Sequence, residues 1–283
     1  MKINLTATPT PNNVSTNATL VTNELGKKFW IPNNDTYFLP LMSKGPYQGK
    51  NVERLRELCP KPRHVVDIGV NLAQNIVQYA EFSPRVTGFE PTDFNYQCAH
   101  ATILENQNLY PDADINFYKC GLGNKKATMY IKTHISNVGT NFIVAEASKN
   151  TELVPVETLD SFNLTDVDII KIDVEGFELY VVEGGEQTIM KYRPFIQTEI
   201  REGHCERAGT TPQALCDWFA DRDYIRTVKV NEKVRSLFNY TGKDKYVPIF
   251  DRTYYNVASG DSFWVPKEKL TMAELSPAEA LFE

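Results

Sequence analysis

Long apolar runs are missing from this 283-residue chain, and so is any excess of positive charge. No stretch is long and apolar enough to cross a bilayer as a helix, and Met1-Lys2-Ile3-Asn4-Leu5 turns polar too soon for a secretory signal peptide. The expectation is therefore an intracellular protein without a membrane span. A formal charge of -6 argues against a broad polyanion-binding surface. The short basic clusters, Lys119 with Lys125 and Lys126, and Lys229, Lys233 and Arg235 beside Phe238 and Tyr240, read as solvated surface rather than a nucleic-acid track. Cysteine is sparse: Cys59, Cys98, Cys120, Cys205 and Cys216 show no close paired spacing, which argues against a disulfide scaffold and a compact zinc–thiolate site. Sequons at Asn4, Asn17, Asn163 and Asn239 have no export signal to bring them into use. Internal repeats, an extended coiled-coil pattern and an H-E-x-x-H zinc helix are also absent. What remains is an ordinary globular composition, with 42% hydrophobic residues to fill one large α/β core.

The most informative pattern runs from Pro62 to Pro91. A buried strand ends in Asp67-Ile68-Gly69-Val70-Asn71, a helix is predicted over Asn71 to Phe82, and a second strand ends in Gly88-Phe89-Glu90-Pro91. That order suits a nucleoside-bearing cofactor. The glycine turn lets backbone approach a ligand closely, and an acidic residue after the next strand can receive ribose hydroxyls. A dinucleotide asks for the denser G-x-G-x-x-G turn that cradles pyrophosphate, whereas Gly69 stands alone, so an NAD-dependent oxidoreductase is the weaker reading. S-adenosylmethionine fits better, its amine and carboxylate meeting Asp67 and the backbone from Gly69 to Asn71. A helix cap and tight turn that bind nothing would give the same letters.

A second pattern spans Val167 to Gly185. Val167-Asp168-Ile169-Ile170-Lys171-Ile172-Asp173 has the apolar content of a central strand, and Val174-Glu175-Gly176-Phe177-Glu178 turns out of it toward a helix. Ligands of a doubly wound sheet lie beyond the C-terminal strand ends, which sets Asp173 and Glu175 beside Gly69 and Glu90. Alternation sends Lys171, Asp173 and Glu175 to one side if the strand persists that far. Three ionisable groups there need a partner, a metal or solvent; Lys171 pairing with a carboxylate and Glu175 capping the next helix is the purely structural alternative.

Together these segments resemble the FkbM family of S-adenosylmethionine-dependent methyltransferases. Val66 to Asn71 looks like the family's first motif and Phe89-Glu90-Pro91 its second. Thr158-Leu159-Asp160 followed by Ile170-Lys171-Ile172-Asp173-Val174-Glu175-Gly176-Phe177-Glu178 is its most distinctive pair, and Val182-Glu183-Gly184-Gly185 and Arg193 to Glu199 continue the match. The resemblance implies a doubly wound α/β fold, a mostly parallel seven-stranded sheet of the Rossmann-like methyltransferase type with an antiparallel C-terminal strand. It also implies methyl transfer, most often to a hydroxyl of a sugar, glycan or small natural product, with S-adenosylhomocysteine as product. Asp67, Gly69 and Asn71 would surround the methionine end and Glu90 would hold the ribose. Ala73 departs from the family, which usually has glycine there.

An acceptor hydroxyl must be aligned, shielded from water and relieved of its proton. Asp173 and Glu175 are the first candidates, then His204 and Glu199, with Lys171 holding a neighbouring carboxylate ionised. A divalent metal on Asp173, Glu175, Glu199 and His204 is the competing use of the same groups. Cys120-Gly121-Leu122-Gly123 either approaches adenine or forms a turn. An RNA or DNA methyltransferase and a catalytically inactive cofactor-binding module remain as alternatives.

Composition divides the chain into an irregular Thr/Asn/Pro-rich leader over 1–24, an appendage or cap over 25–60, the core domain over 61–268 and a short tail over 269–283. Helices are expected over Asn51–Cys59, Phe94–Asn106 and Thr211–Phe219, the last with a threonine cap and a first-turn proline. Tyr47 and Gln48 either close over an acceptor or pack on the core, Asn137 to Asn141 is a mobile lip, and Asn231 to Arg252 is the expected acceptor-specific loop. Strands are expected at Ile225–Val230, Tyr254–Ala258 and Ser262–Val265, and a short helix at Met272–Leu281.

Overall fold

The computed structural model describes residues 3–5, 11–229, 246–249 and 260–270. In chain order it runs β1 (Ile3–Leu5), α1 (Pro11–Asn17), β2 (Ala18–Thr22), β3 (Lys28–Pro32), α2 (Phe38–Met42), α3 (Gly49–Leu58), β4 (Val65–Ile68), α4 (Gln74–Tyr79), β5 (Arg85–Phe89), α5 (Asp93–Asn106) and β6 (Asp114–Tyr118). Four short strands follow, β7 (Gly121–Leu122), β8 (Ala127–Lys132), β9 (Phe142–Val144) and β10 (Thr151–Glu157). The chain then returns to the main sheet with β11 (Ile169–Ile172), α6 (Glu178–Gly184), α7 (Glu186–Tyr192), β12 (Phe195–Ile200), α8 (Glu202–Arg207), α9 (Pro212–Ala220), β13 (Tyr224–Lys229), β14 (Tyr246–Ile249) and β15 (Gly260–Pro266).

The main sheet has nine strands in the order β1-β6-β5-β4-β11-β12-β15-β13-β14. The first six run parallel, and β15 lies antiparallel to both its neighbours. Seven of these strands form the expected core sheet, and β1 and β14 extend it at its two edges. β4 and β11 are buried at every position, as strands covered by helices on both faces must be, and their apolar runs made them legible. Strand order reverses between β4 and β11, so the crevice opens beyond their C-terminal ends.

Register aligns that edge. Lys171 lies opposite Asp67 and Asp67 opposite Gly88, so the turns after β4, β5 and β11 start level with one another. β7 to β10 form a separate four-stranded sheet, ordered β7-β10-β8-β9, whose Leu122, Ile131 and Val156 face the crevice. α9 starts as its sequence dictates: the Thr211 hydroxyl accepts from Ala214 N at 3.1 Å and Pro212 sits in the first turn.

Two expectations are corrected. The stretch read as an irregular leader contains β1 on the sheet edge, α1, and β2, which pairs with β3 as a hairpin packed on α5. Val14 and Ala18 are buried in the main core, and Asn106 ties the hairpin down through Lys28 N at 2.9 Å and Lys28 O at 2.6 Å. Polar composition hid a segment anchored by few apolar contacts. The helix read from Asn71 begins only at Gln74, because Asn71 and Ala73 hold positive φ (55° and 65°) and prolong the turn. Of the late expectations, Tyr254–Ala258, Met272–Leu281 and most of Asn231–Arg252 lie outside the described residues.

Candidate active site

Gly69 fixes the geometry of the crevice. Its φ of +83° belongs to the left-handed region, and a Cβ there would stand 2.0 Å from the Asp173 carbonyl oxygen. Only glycine lets the turns after β4 and β11 touch. Gly176, at φ +111°, has the same role on the far side, where a Cβ would meet His204 O at 2.1 Å. Between them Glu175 itself adopts φ +58°. The alternation expected to carry Lys171, Asp173 and Glu175 to one side therefore ends with β11 at Ile172; Glu175 reaches the crevice through a left-handed turn. Glu178, buried, clamps that turn by accepting from Val174 N at 3.1 Å and Gly176 N at 3.3 Å, and burial pushes its carboxyl up to about 7.

Two cavities meet at this edge. The first has Gly69, Asn71, Glu90, Cys120, Gly121, Asp173 and Glu175 on its wall. Leu122, Ile131, Phe142, Ile143 and Val156 add an apolar lining. Glu90, on the same wall, is already organised. One carboxylate oxygen accepts from Thr92 N at 3.0 Å and Thr92 Oγ1 at 2.7 Å, the other from Asn71 N at 2.9 Å. With two lone pairs per oxygen, the second keeps one for a ligand hydroxyl. Burial raises this carboxyl to about 7 against those hydrogen bonds. The cavity thus brings together apolar side chains, a fixed acceptor for hydroxyls and a polar glycine turn.

The second cavity shares Gly69, Asn71, Gly139, Asp173 and Glu175 with the first and adds Lys171, Glu199, Arg201 and His204. Its roof is Tyr37, Phe38, Tyr47 and Gln48. Tyr47 and Gln48 thus wall the cavity rather than the core alone. Gln48 Nε2 donates to Asp173 at 3.4 Å, and its Oε1 accepts from Asn75 Nδ2 at 2.8 Å.

Glu175, Glu199 and His204 converge, with one ligating atom from each lying within 4.8 Å of the others. His204 Nδ1 is 3.2 Å from Glu175 Oε2 and 4.0 Å from Glu199 Oε2. Arg201 pairs with Glu199 at 2.7 Å, while Arg207 donates to the Glu175 carbonyl at 3.0 Å and stacks on Phe142, 3.9 Å from the ring centre. Burial, then the charges of Asp173 and Glu199, push Glu175 up to about 8; burial and then Asp173 also raise Glu199. Burial, then Arg207 and Arg201, lower His204, which is neutral at pH 7. In the tautomer with its proton on Nδ1, facing Glu175, the neutral imidazole keeps Nε2 free to accept another.

Asp67 lies elsewhere than its motif suggests. It is fully buried and lines neither cavity. As a β4 residue opposite Lys171 it sits one layer below the turn, 3.3 Å from Lys171 Nζ. Lys171 carries its influence upward, donating to Gly69 O at 2.9 Å and standing 3.6 Å from Asp173. Burial raises Asp67 to about 6 against Lys171; burial opposes the Lys171 charge too, but Asp67 and Asp173 outweigh it, so the pair is ionised at neutral pH.

Sequence reasoning missed Arg201, Arg207, Asn95 and Phe142. Arg201 had a signal, two residues beyond Glu199 at the end of β12; the others depend on contacts across the fold.

Residues 61–226, well over half of the chain, match the family described as Methyltransferase FkbM domain. Among solved structures the chain is similar to methyltransferase FkbM from Methylobacillus flagellatus KT, at 17% identity and TM-score 0.44, covering 72% of this chain and 43% of that one. It is also similar to precorrin-6y C5,15-methyltransferase from Geobacter metallireducens GS-15, at 11% identity and TM-score 0.39, covering 80% and 90%. A third similarity is to the tRNA methyltransferase TrmK of B. subtilis, at 11% identity and TM-score 0.39, covering 76% and 64%. The chain thus spans less than half the length of the Methylobacillus flagellatus protein. No curated protein matches the sequence significantly.

Proposed function

This chain belongs to the FkbM methyltransferase domain family, and from that premise we propose that it moves the methyl group of S-adenosylmethionine onto a hydroxyl oxygen of a sugar, a glycan or a small natural product. The observation that carries this reading is the junction of the two cavities. The wall bearing Glu90 and Gly69 opens, through Asp173 and Glu175, directly onto the Glu175–His204 pair.

When bound, S-adenosylmethionine supplies an electrophilic methyl group on a sulfonium. Glu90 holds the ribose hydroxyls, and the Gly69–Asn71 backbone meets the methionine end. Cys120 and Gly121 border the adenine with the apolar residues beside them. Asp173 stands between the two chambers and orients the acceptor, with Lys171 Nζ 3.6 Å away and Gln48 fixing its carboxylate. His204 takes the hydroxyl proton as the acceptor oxygen bonds the methyl carbon and the carbon–sulfur bond breaks, and the resulting imidazolium is steadied by the Glu199 carboxylate and by the Nδ1 contact to Glu175. Tyr37, Phe38 and Tyr47 exclude competing water.

The same Glu175, Glu199 and His204 atoms are close enough to hold a divalent metal. Arg201 and Arg207 already supply countercharge to these carboxylates, which favours the acid–base reading. Charged groups of both signs line the acceptor chamber, Lys171 and Arg201 against Asp173 and Glu199, a balance suited to a neutral polar acceptor better than to a polyanion.

Calorimetric titration with S-adenosylmethionine and S-adenosylhomocysteine, with NAD as control, is the first test. Saturable one-to-one binding of both adenosyl ligands and none of NAD is expected. NAD binding alone would sink the proposal. An acceptor screen by methyl release, with and without chelator, then separates the hydroxyl and metal readings; activity abolished by chelator and restored by a divalent ion would replace the acid–base role of His204.

A further inference from the structure

Asp35 lies well outside the family match, in the appendage before α2, yet it is fully buried. One carboxylate oxygen accepts from Tyr37 N at 2.9 Å and Phe38 N at 2.6 Å, and so shapes the start of the roof over the acceptor chamber. The other accepts from Val138 N at 2.8 Å, across 103 positions of sequence. Val138 lines the first cavity and its neighbour Gly139 lines both.

From Val138 the contacts run inward. Asn95 Nδ2 donates to Val138 O at 3.1 Å and to Asn71 Oδ1 at 3.1 Å, and Asn71 N donates to Glu90 at 2.9 Å. A continuous hydrogen-bonded path therefore joins the roof segment to the carboxylate read above as the ribose acceptor. Thr36 N adds a second tie, accepted by Ser136 O at 3.0 Å. No other carboxylate in the described residues from 11 to 60 is fully buried.

We propose that Asp35 is a positioning residue for the adenosyl cofactor: through Val138 and Asn95 it holds the outer wall of the cofactor cavity in place and couples that wall to the acceptor roof. The proposal rests on the reading of the first cavity as an S-adenosylmethionine site. Its consequence is that cofactor binding orders the roof, so the acceptor chamber takes its final shape once the cofactor is in.

Asp35→Asn isolates the link. The amide oxygen can still accept from Tyr37 N and Phe38 N, while an NH2 group now faces the Val138 N–H and cannot accept from it. Calorimetry with S-adenosylhomocysteine should show Kd raised about five- to tenfold, the cost of one buried hydrogen bond, with the ligand-free melting temperature moved by no more than a few degrees. In the wild-type protein, S-adenosylhomocysteine should slow amide hydrogen exchange at 35–38 as well as at 136–141. Unchanged affinity in folded Asp35→Asn overturns the proposal. So does wild-type protection confined to 136–141, a result that stands even where the variant fails to fold. A wild-type protein that binds no S-adenosylhomocysteine overturns the functional reading itself, and this proposal with it.

Discussion

At the residue scale the site is built from backbone conformations that side chains disfavour. Gly69, Asn71, Ala73, Glu175 and Gly176 all hold positive φ within two short turns. Glycine adopts this region freely and asparagine tolerates it, but alanine and glutamate are strained there by roughly 1–2 kcal/mol each. Ala73 occupies the place where the resembled family usually has glycine, and it is buried at φ +65°. Ala73→Gly should therefore raise stability by about 0.5–1 kcal/mol in chemical denaturation, the relieved strain being partly offset by the greater freedom of glycine in the unfolded chain. A loss of stability would mean the alanine methyl is needed for packing. His204 carries the chemical prediction. His204→Gln should lower the methyl-transfer rate about 100-fold or more while leaving S-adenosylhomocysteine affinity within a few-fold, since the imidazole lines only the acceptor chamber. Equal losses in rate and cofactor affinity would remove it from the role of base. The types of these residues were legible in the sequence, because motifs name glycines and carboxylates. Their assignments were less so: nothing local says that Asp67 points below the turn, or that His204 folds back to within 3.2 Å of Glu175.

Elements were legible where their physics is local. β4 and β11 are mostly apolar strands, each with a single charged residue, β12 starts on Phe195-Ile196, and α9 opens on its own threonine cap. β1, α1 and the β2–β3 hairpin were hidden because their order comes from partners far away in sequence, β6 for the first and α5 for the hairpin. The strand pair β4–β11 also carries the least local feature of the sheet, a Lys171–Asp67 ion pair on facing positions, both fully buried. Such a pair contributes little net stability, yet removing one member leaves a bare charge in the core. Lys171→Met alone should cost about 3–5 kcal/mol in denaturant unfolding, and adding Asp67→Leu should recover part of that loss rather than deepen it. Strictly additive losses would show that the two side chains act independently and that Lys171 serves Asp173 alone.

Across the whole molecule, buried acids govern how stability responds to pH. Glu90 and Glu178 are raised to about 7 and Glu175 to about 8, each chiefly by burial, so the folded protein keeps protons that the unfolded chain releases near pH 4.5. Buried His64 and His100 work the other way. Burial lowers both to about 4, so they favour the folded state increasingly as pH climbs to 6.5 and no further. Below pH 6.5 the two groups of residues therefore oppose one another, and above it only the carboxyls act. Where the folded state binds more protons than the unfolded, stability falls with rising pH. The ligand-free protein should thus lose on the order of 1–2 kcal/mol between pH 6.5 and 8, seen as a melting temperature lower by a few degrees at constant ionic strength. Glu175→Gln should flatten the upper part of that decline, because the slope between pH 7 and 8 belongs mostly to this one residue. A melting temperature that stays level or climbs over the interval would mean these carboxyls are ionised in the folded protein at neutral pH. The acceptor chamber would then be more negative than its burial implies, and the case for a bound cation at Glu175, Glu199 and His204 would strengthen accordingly.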